Sequence, residues 1–151
     1  MKKTVEQRFW EKVGDHSDPT KCWLWTACVV KSLHGALIYG HFKVDGRMVL
    51  AHRLAYEMHH HVTIPKDMTI DHVKARGCTS TLCVNPYHLE VVTGRVNTLR
   101  GDAPSALYAK ATHCPLGHPY NKENTYVRPD GGRRCQVCTR ERYHTKKVTL
   151  Q

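Results

Sequence analysis

No apolar run in this chain approaches the roughly 20 residues that a membrane-spanning helix needs. Nor does any stretch set a basic face against an apolar one, as a helix lying in a membrane surface would. Acidic residues are scarce: 13 Asp plus Glu stand against 23 Lys plus Arg, for a formal net charge of +10. With a membrane set aside, that excess points to a polyanion, and so to nucleic acid. Large aromatics are also few, with 2 Phe and 3 Trp. Trp23 and Trp25 read as structural, so the stacking platforms that single-stranded RNA readers use are missing. An apolar signal-peptide core is absent too. Met1-Lys2-Lys3 is soon followed by Glu6, Arg8 and Glu11, and a cytoplasmic protein is expected.

Cysteine, by contrast, is abundant: seven in 151 residues, alongside 12 His. In a reducing compartment, and with an odd count, these point to metal rather than to disulfides. The length suits one compact domain or a small domain with an appendage. The apolar content, 40%, leaves a modest core that structural zinc would help hold.

Hydrophobic periodicity outlines the elements. Residues 4–13 predict a short helix capped by Thr4, with Val5, Phe9, Trp10 and Val13 on one face and Gly14 ending it. Residues 22–26 predict a strand of bulky side chains. Residues 39–44 and 47–50 flank Asp45-Gly46, a two-residue hairpin signal. Residues 51–58 predict a helix whose Leu54, Ala55 and Met58 face the core. Near its start, Arg53 is placed to hold a phosphate. The run His59-His60-His61 reads as a solvated turn, because successive turn residues point in different directions. Apolar strands follow at 68–70 and 89–92, and Thr93 then suits a helix N-cap.

Three constellations carry chemistry. Asp71, His72 and Asn97 fit a metal-dependent phosphodiesterase. Asp71 and Asn97 offer oxygen ligands for Mg²⁺ or Mn²⁺, and His72 is the general base for an attacking water. Neighbouring strand residues point to opposite faces, so Asp71 and His72 need a bend at the strand end to share a site. Cys78, Cys83 and His88 supply three ligands for tetrahedral Zn²⁺. Cys22 is the best fourth ligand and Cys28 the runner-up. Cys114 and His118, then Cys135 and Cys138, form a C-x3-H knuckle and a C-x2-C knuckle sixteen residues apart, a full second zinc set. His113 is the competing imidazole. Between these knuckles Tyr126-Val-Arg and Asp130-Gly-Gly predict a small hairpin. Around it lie Arg128, Arg133, Arg134, Arg140, Arg142, Lys146 and Lys147, which suit a clamp on the DNA backbone with a basic exit helix.

The strings Ala51-His-Arg-Leu-Ala-Tyr-Glu, Ile70-Asp-His72 and Cys83-Val-Asn-Pro-Tyr-His-Leu-Glu-Val-Val-Thr93, with Asn97, resemble the HNH endonucleases common in bacteriophage genomes. These belong to the ββα-metal, or His-Me finger, nucleases. The Cys/His loop is similar to that of the His-Cys box homing endonucleases, and the likeness covers roughly residues 20–101. It implies His72 as general base and Asp71 and Asn97 as holders of the catalytic ion. It further implies Asn85 as a brace for the loop, and Cys22, Cys78, Cys83 and His88 around a structural zinc. The products would carry a 5′-phosphate and a 3′-hydroxyl. One spacing departs from the family: Cys78 follows His72 by six positions, longer than in the family.

The expected fold is therefore α+β: a small zinc-stabilised ββα-metal core with an N-terminal helix and β-hairpin over residues 1–103, and a basic zinc-knuckle appendage over 104–151. The expected activity is metal-dependent DNA cleavage, nicking or double-stranded, by a monomer or homodimer, in the host cytoplasm if phage-encoded. Arg53, Arg76, Arg95, Arg100, Arg128, Arg133 and Arg134 are the expected DNA contacts. Two structural Zn²⁺ and one catalytic Mg²⁺ or Mn²⁺ are the expected ions. The alternative is a zinc-containing DNA-binding regulator without catalysis, which leaves the joint occurrence of Asp71, His72 and Asn97 unexplained.

Overall fold

A computed structural model describes residues 2–31 and 38–148, with side chains as far as Arg142. The chain is a small mixed α/β protein that divides into two compact units, Met1–Asn97 and Thr98–Gln151. Among the described residues, no helix is long and apolar enough to cross a membrane.

The first unit begins with helix α1, Val5–Trp10. Thr4 caps it reciprocally: the Gln7 amide donates to the Thr4 hydroxyl at 3.1 Å, and the Thr4 amide donates to the Gln7 side chain at 3.0 Å. The helix is shorter than the predicted 4–13. Its end tightens through Lys12 N–H to Phe9 O and Val13 N–H to Trp10 O, and Val13 leaves to bridge Trp25. The stretch 22–26 is extended but is not a regular strand. Trp25 N–H donates to Leu82 O and Val84 N–H to Trp23 O, so its partners are loops.

Strands β1 (Val29–Lys31), β2 (Ile38–Val44) and β3 (Arg47–Leu50) form an antiparallel sheet in that order. At the β2–β3 turn, Asp45 and Gly46 both take positive φ, 45° and 82°, as a type I′ hairpin demands. The core beneath is aromatic: Phe9 lies 5.1 Å from Trp25 and 5.3 Å from Phe42, ring centre to ring centre. Gly40 admits Trp25 so closely that a Cβ there would sit 2.6 Å from the indole. Helix α2, Ala51–His60, follows directly and buries Ala51, His52 and Ala55. The helix runs two residues past the predicted 51–58, so His59 and His60 belong to its last turn rather than to a solvated turn, while His61 ends it in the left-handed region, φ 53°; all three are exposed.

Strands β4 (Met68–His72) and β5 (Leu89–Thr93) form an antiparallel hairpin with Met68 opposite Thr93 and His72 opposite Leu89. The loop between them contains two 3₁₀ turns, Lys74–Arg76 and Pro86–His88. The first, closed by Gly77 at φ 85°, takes up the long His72-to-Cys78 spacing and returns Cys78 N–H to Val73 O. Helix α3, Gly94–Arg100, follows β5, and the Thr93 hydroxyl accepts from Val96 N–H at 3.3 Å as its cap.

In the second unit, α4 (Pro104–Lys110), which sequence periodicity did not signal, precedes the antiparallel pair β6 (Thr125–Val127) and β7 (Arg133–Cys135). Helix α5, Gln136–Val148, follows. The side chains of Lys146 and Lys147 lie outside those described. The buried apolar cluster of this unit consists of Cys114, Cys135 and Cys138, flanked by Tyr120 and Val137.

Candidate metal centres and active-site residues

Among the described residues, two groups of Cys and His bring their ligand atoms within 4.8 Å of one another: Cys22, Cys78, Cys83 and His88, and Cys114, His118, Cys135 and Cys138. A tetrahedral zinc with Zn–S about 2.3 Å and Zn–N about 2.0 Å sets ligand–ligand edges near 3.5–3.8 Å. In the first cluster, His88 Nδ1 lies 3.8 Å from Cys22 Sγ and 3.7 Å from Cys83 Sγ. In the second, His118 Nδ1 lies 3.5, 3.8 and 3.2 Å from the sulfurs of Cys114, Cys135 and Cys138. Both sets match the geometry and softness of a structural zinc site.

Backbone amides point at the sulfurs, as thiolates require. Thr79 N–H donates to Cys22, His118 N–H to Cys114 and Cys138 N–H to Cys135, at 3.4, 3.3 and 3.5 Å. In the first cluster, the Cys83 thiol holds Cys78 down to about 4, against the opposing pull of burial and with help from His72. The same contact pushes Cys83 up. In the second, burial works to raise Cys135, but the Cys138 amide, Asn124 and the neighbouring thiols outweigh it and bring Cys135 down to about 6. Burial and Cys135 together push Cys138 up to about 12. Each cluster thus already favours one thiolate for an arriving cation.

Two buried asparagines assemble these sites. Asn85 donates to Pro19 O at 2.8 Å and Lys21 O at 2.7 Å, and accepts from Tyr87 N–H. It thereby ties the segment bearing Cys22 to the turn bearing His88. Asn124 donates to Pro119 O and accepts from Val137 N–H, joining the two knuckles. Cys28 stays outside both clusters and is exposed; its carbonyl accepts from the Trp25 indole. His113 is also outside, with its Nδ1 on the Thr112 hydroxyl.

The oxygen donors and the base are placed differently. Asp71 is buried on β4, opposite Glu90. His72, the next residue, turns to the other side of the strand. Its Nδ1 lies 3.4 Å from Cys78 Sγ, its ring centre is 5.0 Å from that of His52, and its Nε2 is buried with no hydrogen-bond partner. Asn97 is half-buried on α3, a helix that buries none of its residues.

His52, like Asn124, is a buried residue to which the sequence assigned no role. Burial, with His72, Arg53 and His41 adding to it, pushes His52 down to about 3, and its Nδ1 has no partner. The legible signal was its position on the Ala51/Ala55 side of an amphipathic helix.

Several arginines depart from the expected DNA contacts because main-chain carbonyls claim them. Arg53 donates to Ile64 O at 2.6 Å, Pro65 O at 2.8 Å and Met68 O at 3.1 Å, and so fixes the entry to β4 rather than facing a phosphate. Arg76 donates to Leu89 O and pairs with Glu90. Arg133 donates to Tyr108 O, Ala109 O and Ala111 O and stacks 4.5 Å over Tyr120, closing the end of α4. Arg128 pairs with Asp130 at 2.6 Å. Arg134 and Arg140 are exposed and, among the described residues, have no partner.

Comparison with known protein families, with characterised proteins and with solved structures returns no match to this chain.

Proposed function

We propose that the protein is a metal-dependent DNA endonuclease of the HNH type, with a ββα-metal core formed by β4, β5 and α3. The observation that carries this reading is the succession of Asp71 and His72 at the end of β4, β5 paired against it, and Asn97 on the helix that follows. Asp71 and Asn97 offer hard oxygen donors, a set that fits Mg²⁺ or Mn²⁺ and not the soft thiolate sites nearby. When bound there, such an ion would neutralise charge developing on the phosphate and on the departing 3′ oxygen. His72 would take the proton of the attacking water. Its nitrogens face Cys78 and the interior, so the imidazole has to turn outward when DNA docks. The charge of +10 supplies the attraction to the backbone.

The test is cleavage of supercoiled plasmid by zinc-loaded wild type and His72→Ala, with Mg²⁺, Mn²⁺ or EDTA. Divalent-dependent conversion to open circle or linear DNA is expected, with the variant losing cleavage by about 10²-fold or more while still binding DNA. An unchanged rate in His72→Ala overturns the mechanism. A second reading, a zinc-containing DNA-binding protein without catalysis, draws on the inward-turned His72 and on the absence of buried residues in α3. No cleavage by folded, zinc-loaded wild type would favour it.

A further inference from the structure

Among the described residues, neither Arg134 nor Arg140 of the second unit is claimed by a carbonyl or carboxylate, and both line one depression. Tyr126, Arg134, Gln136, Thr139 and Arg140 surround a volume of about 260 Å³. Arg134 stands directly across the β6–β7 pair from Tyr126, so their side chains share a face of the hairpin. Gln136 and Arg140 are four residues apart on α5 and present one side of that helix. Tyr126 keeps 51% of its surface open to solvent. No acidic residue lines the depression, in contrast to Arg128, which Asp130 neutralises.

The start of α5 is not the source of attraction here. Gln136 N–H donates to Asn124 O, Val137 N–H to the Asn124 side chain and Cys138 N–H to Cys135 Sγ, so the first amides are occupied. The Thr139 hydroxyl is committed to Cys135 O. What remains for a ligand is two guanidiniums, one tyrosine ring and one amide side chain. Two like charges without a counterion favour an anion between them. An open aromatic face favours a planar base, which stacks without regard to sequence. The Gln136 amide carries both a donor and an acceptor for a base edge. The volume, about 260 Å³, falls below the roughly 300–1,000 Å³ typical of drug-sized ligand sites and suits a small occupant such as one nucleotide unit.

We propose that this depression binds a single unpaired nucleotide of a DNA strand, with its base on Tyr126 and its phosphate between Arg134 and Arg140. A base inside a duplex cannot reach the tyrosine face, so the site selects a single-stranded end, flap or opened position. The inference rests on the nucleic-acid reading above and adds to it a strand preference in the zinc-bearing second unit.

The experiment uses the full, zinc-loaded chain without added divalent cation, so that binding is read in the absence of cleavage. Fluorescence anisotropy compares a short oligothymidylate with a duplex of equal length at one salt concentration. Wild type is measured beside Tyr126→Leu and Arg134→Gln/Arg140→Gln, with zinc content and unfolding midpoint as controls for folding. Tyr126→Leu should weaken single-strand binding about tenfold, the loss of one stacked base. Duplex affinity should change by no more than about twofold, since backbone contacts elsewhere carry it. The double arginine variant should also lose single-strand affinity in preference to duplex affinity. Equal losses on both probes, or no loss on either, overturn the proposal. A wild type that binds the oligothymidylate through Tyr126 yet cleaves no plasmid removes the nuclease reading and leaves the pocket. A wild type that cleaves while Tyr126→Leu binds unchanged removes the pocket alone.

Discussion

The two Cys/His clusters have similar ligand geometry and different foundations. The first gathers Cys22 from one end of its unit and Cys78, Cys83 and His88 from the β4–β5 loop, and it sits beside an independent aromatic core of Phe9, Trp23, Trp25 and Phe42. In the second unit the cysteines themselves are the buried core. A metal ion held in the first unit would staple a loop to a body whose aromatic core packs separately. In the second unit there is little else to pack.

The largest effect that follows is on metal removal. Structural zinc contributes on the order of 10 kcal/mol to domains that cannot fold without it. Chelation, or Cys138→Ser, should therefore unfold the second unit, while Cys22→Ser should leave the aromatic core of the first intact. Metal analysis should give two zinc ions per wild-type chain and one in either variant. Near-ultraviolet circular dichroism, which reports the packed tryptophans, should persist in Cys138→Ser. Loss of that signal in Cys138→Ser would mean that the units do not differ as described.

Acid should sharpen the contrast. His52 is held neutral in the fold, about 3 against an ordinary 6.5, and the unfolded chain takes up the proton first. Its contribution to stability is complete above about pH 6.5 and is lost as the pH falls from there toward 3, by at most about 5 kcal/mol. Acid also protonates zinc ligands, so the readout is the difference between wild type and His52→Gln in urea melts across this range. The variant should show the shallower slope; parallel slopes would remove His52 from the account.

Packing should matter next. Gly40→Ala must displace the Trp25 indole, at about 1–3 kcal/mol for an overpacked core, and equilibrium melts should show the loss in the first unit's transition alone. An effect of comparable size should come from the asparagine ties. Asn85→Ala leaves Pro19 O and Lys21 O without their donor, a loss of about 1–3 kcal/mol, with faster zinc release from the first cluster in a chelator competition. Asn124→Ala should do the same for the second cluster. If each substitution loosened both clusters equally, the independence of the two foundations would be refuted.

These differences also explain what could be read from the sequence. Local chemistry was legible. Asp45-Gly46 adopts its hairpin turn, Thr93 caps its helix, and the two knuckles in the second unit lie close enough in sequence for spacing alone to pair them. Cys22 ranks ahead of Cys28 in the sequence and the cluster contains it, although the segment 22–26 pairs only with loops. The carbonyl partners of three arginines were not legible, for a physical reason. A guanidinium reaches far enough to choose among carbonyls distant in sequence, and Arg53, Arg76 and Arg133 satisfy main-chain carbonyls whose positions depend on the completed fold. Helix α4 carries too little apolar periodicity to announce itself. The placement of His72 against Cys78 and His52 depended on the path of a loop that spacing alone could not trace.

The exposed Cys28 has a further consequence. Three of the seven cysteines belong to each cluster, and zinc masks a bound thiolate from alkylating and disulfide reagents. The chain therefore contains its own tally of metal occupancy. A thiol titration of the fully loaded protein should find one reactive sulfur, and each emptied cluster should add three.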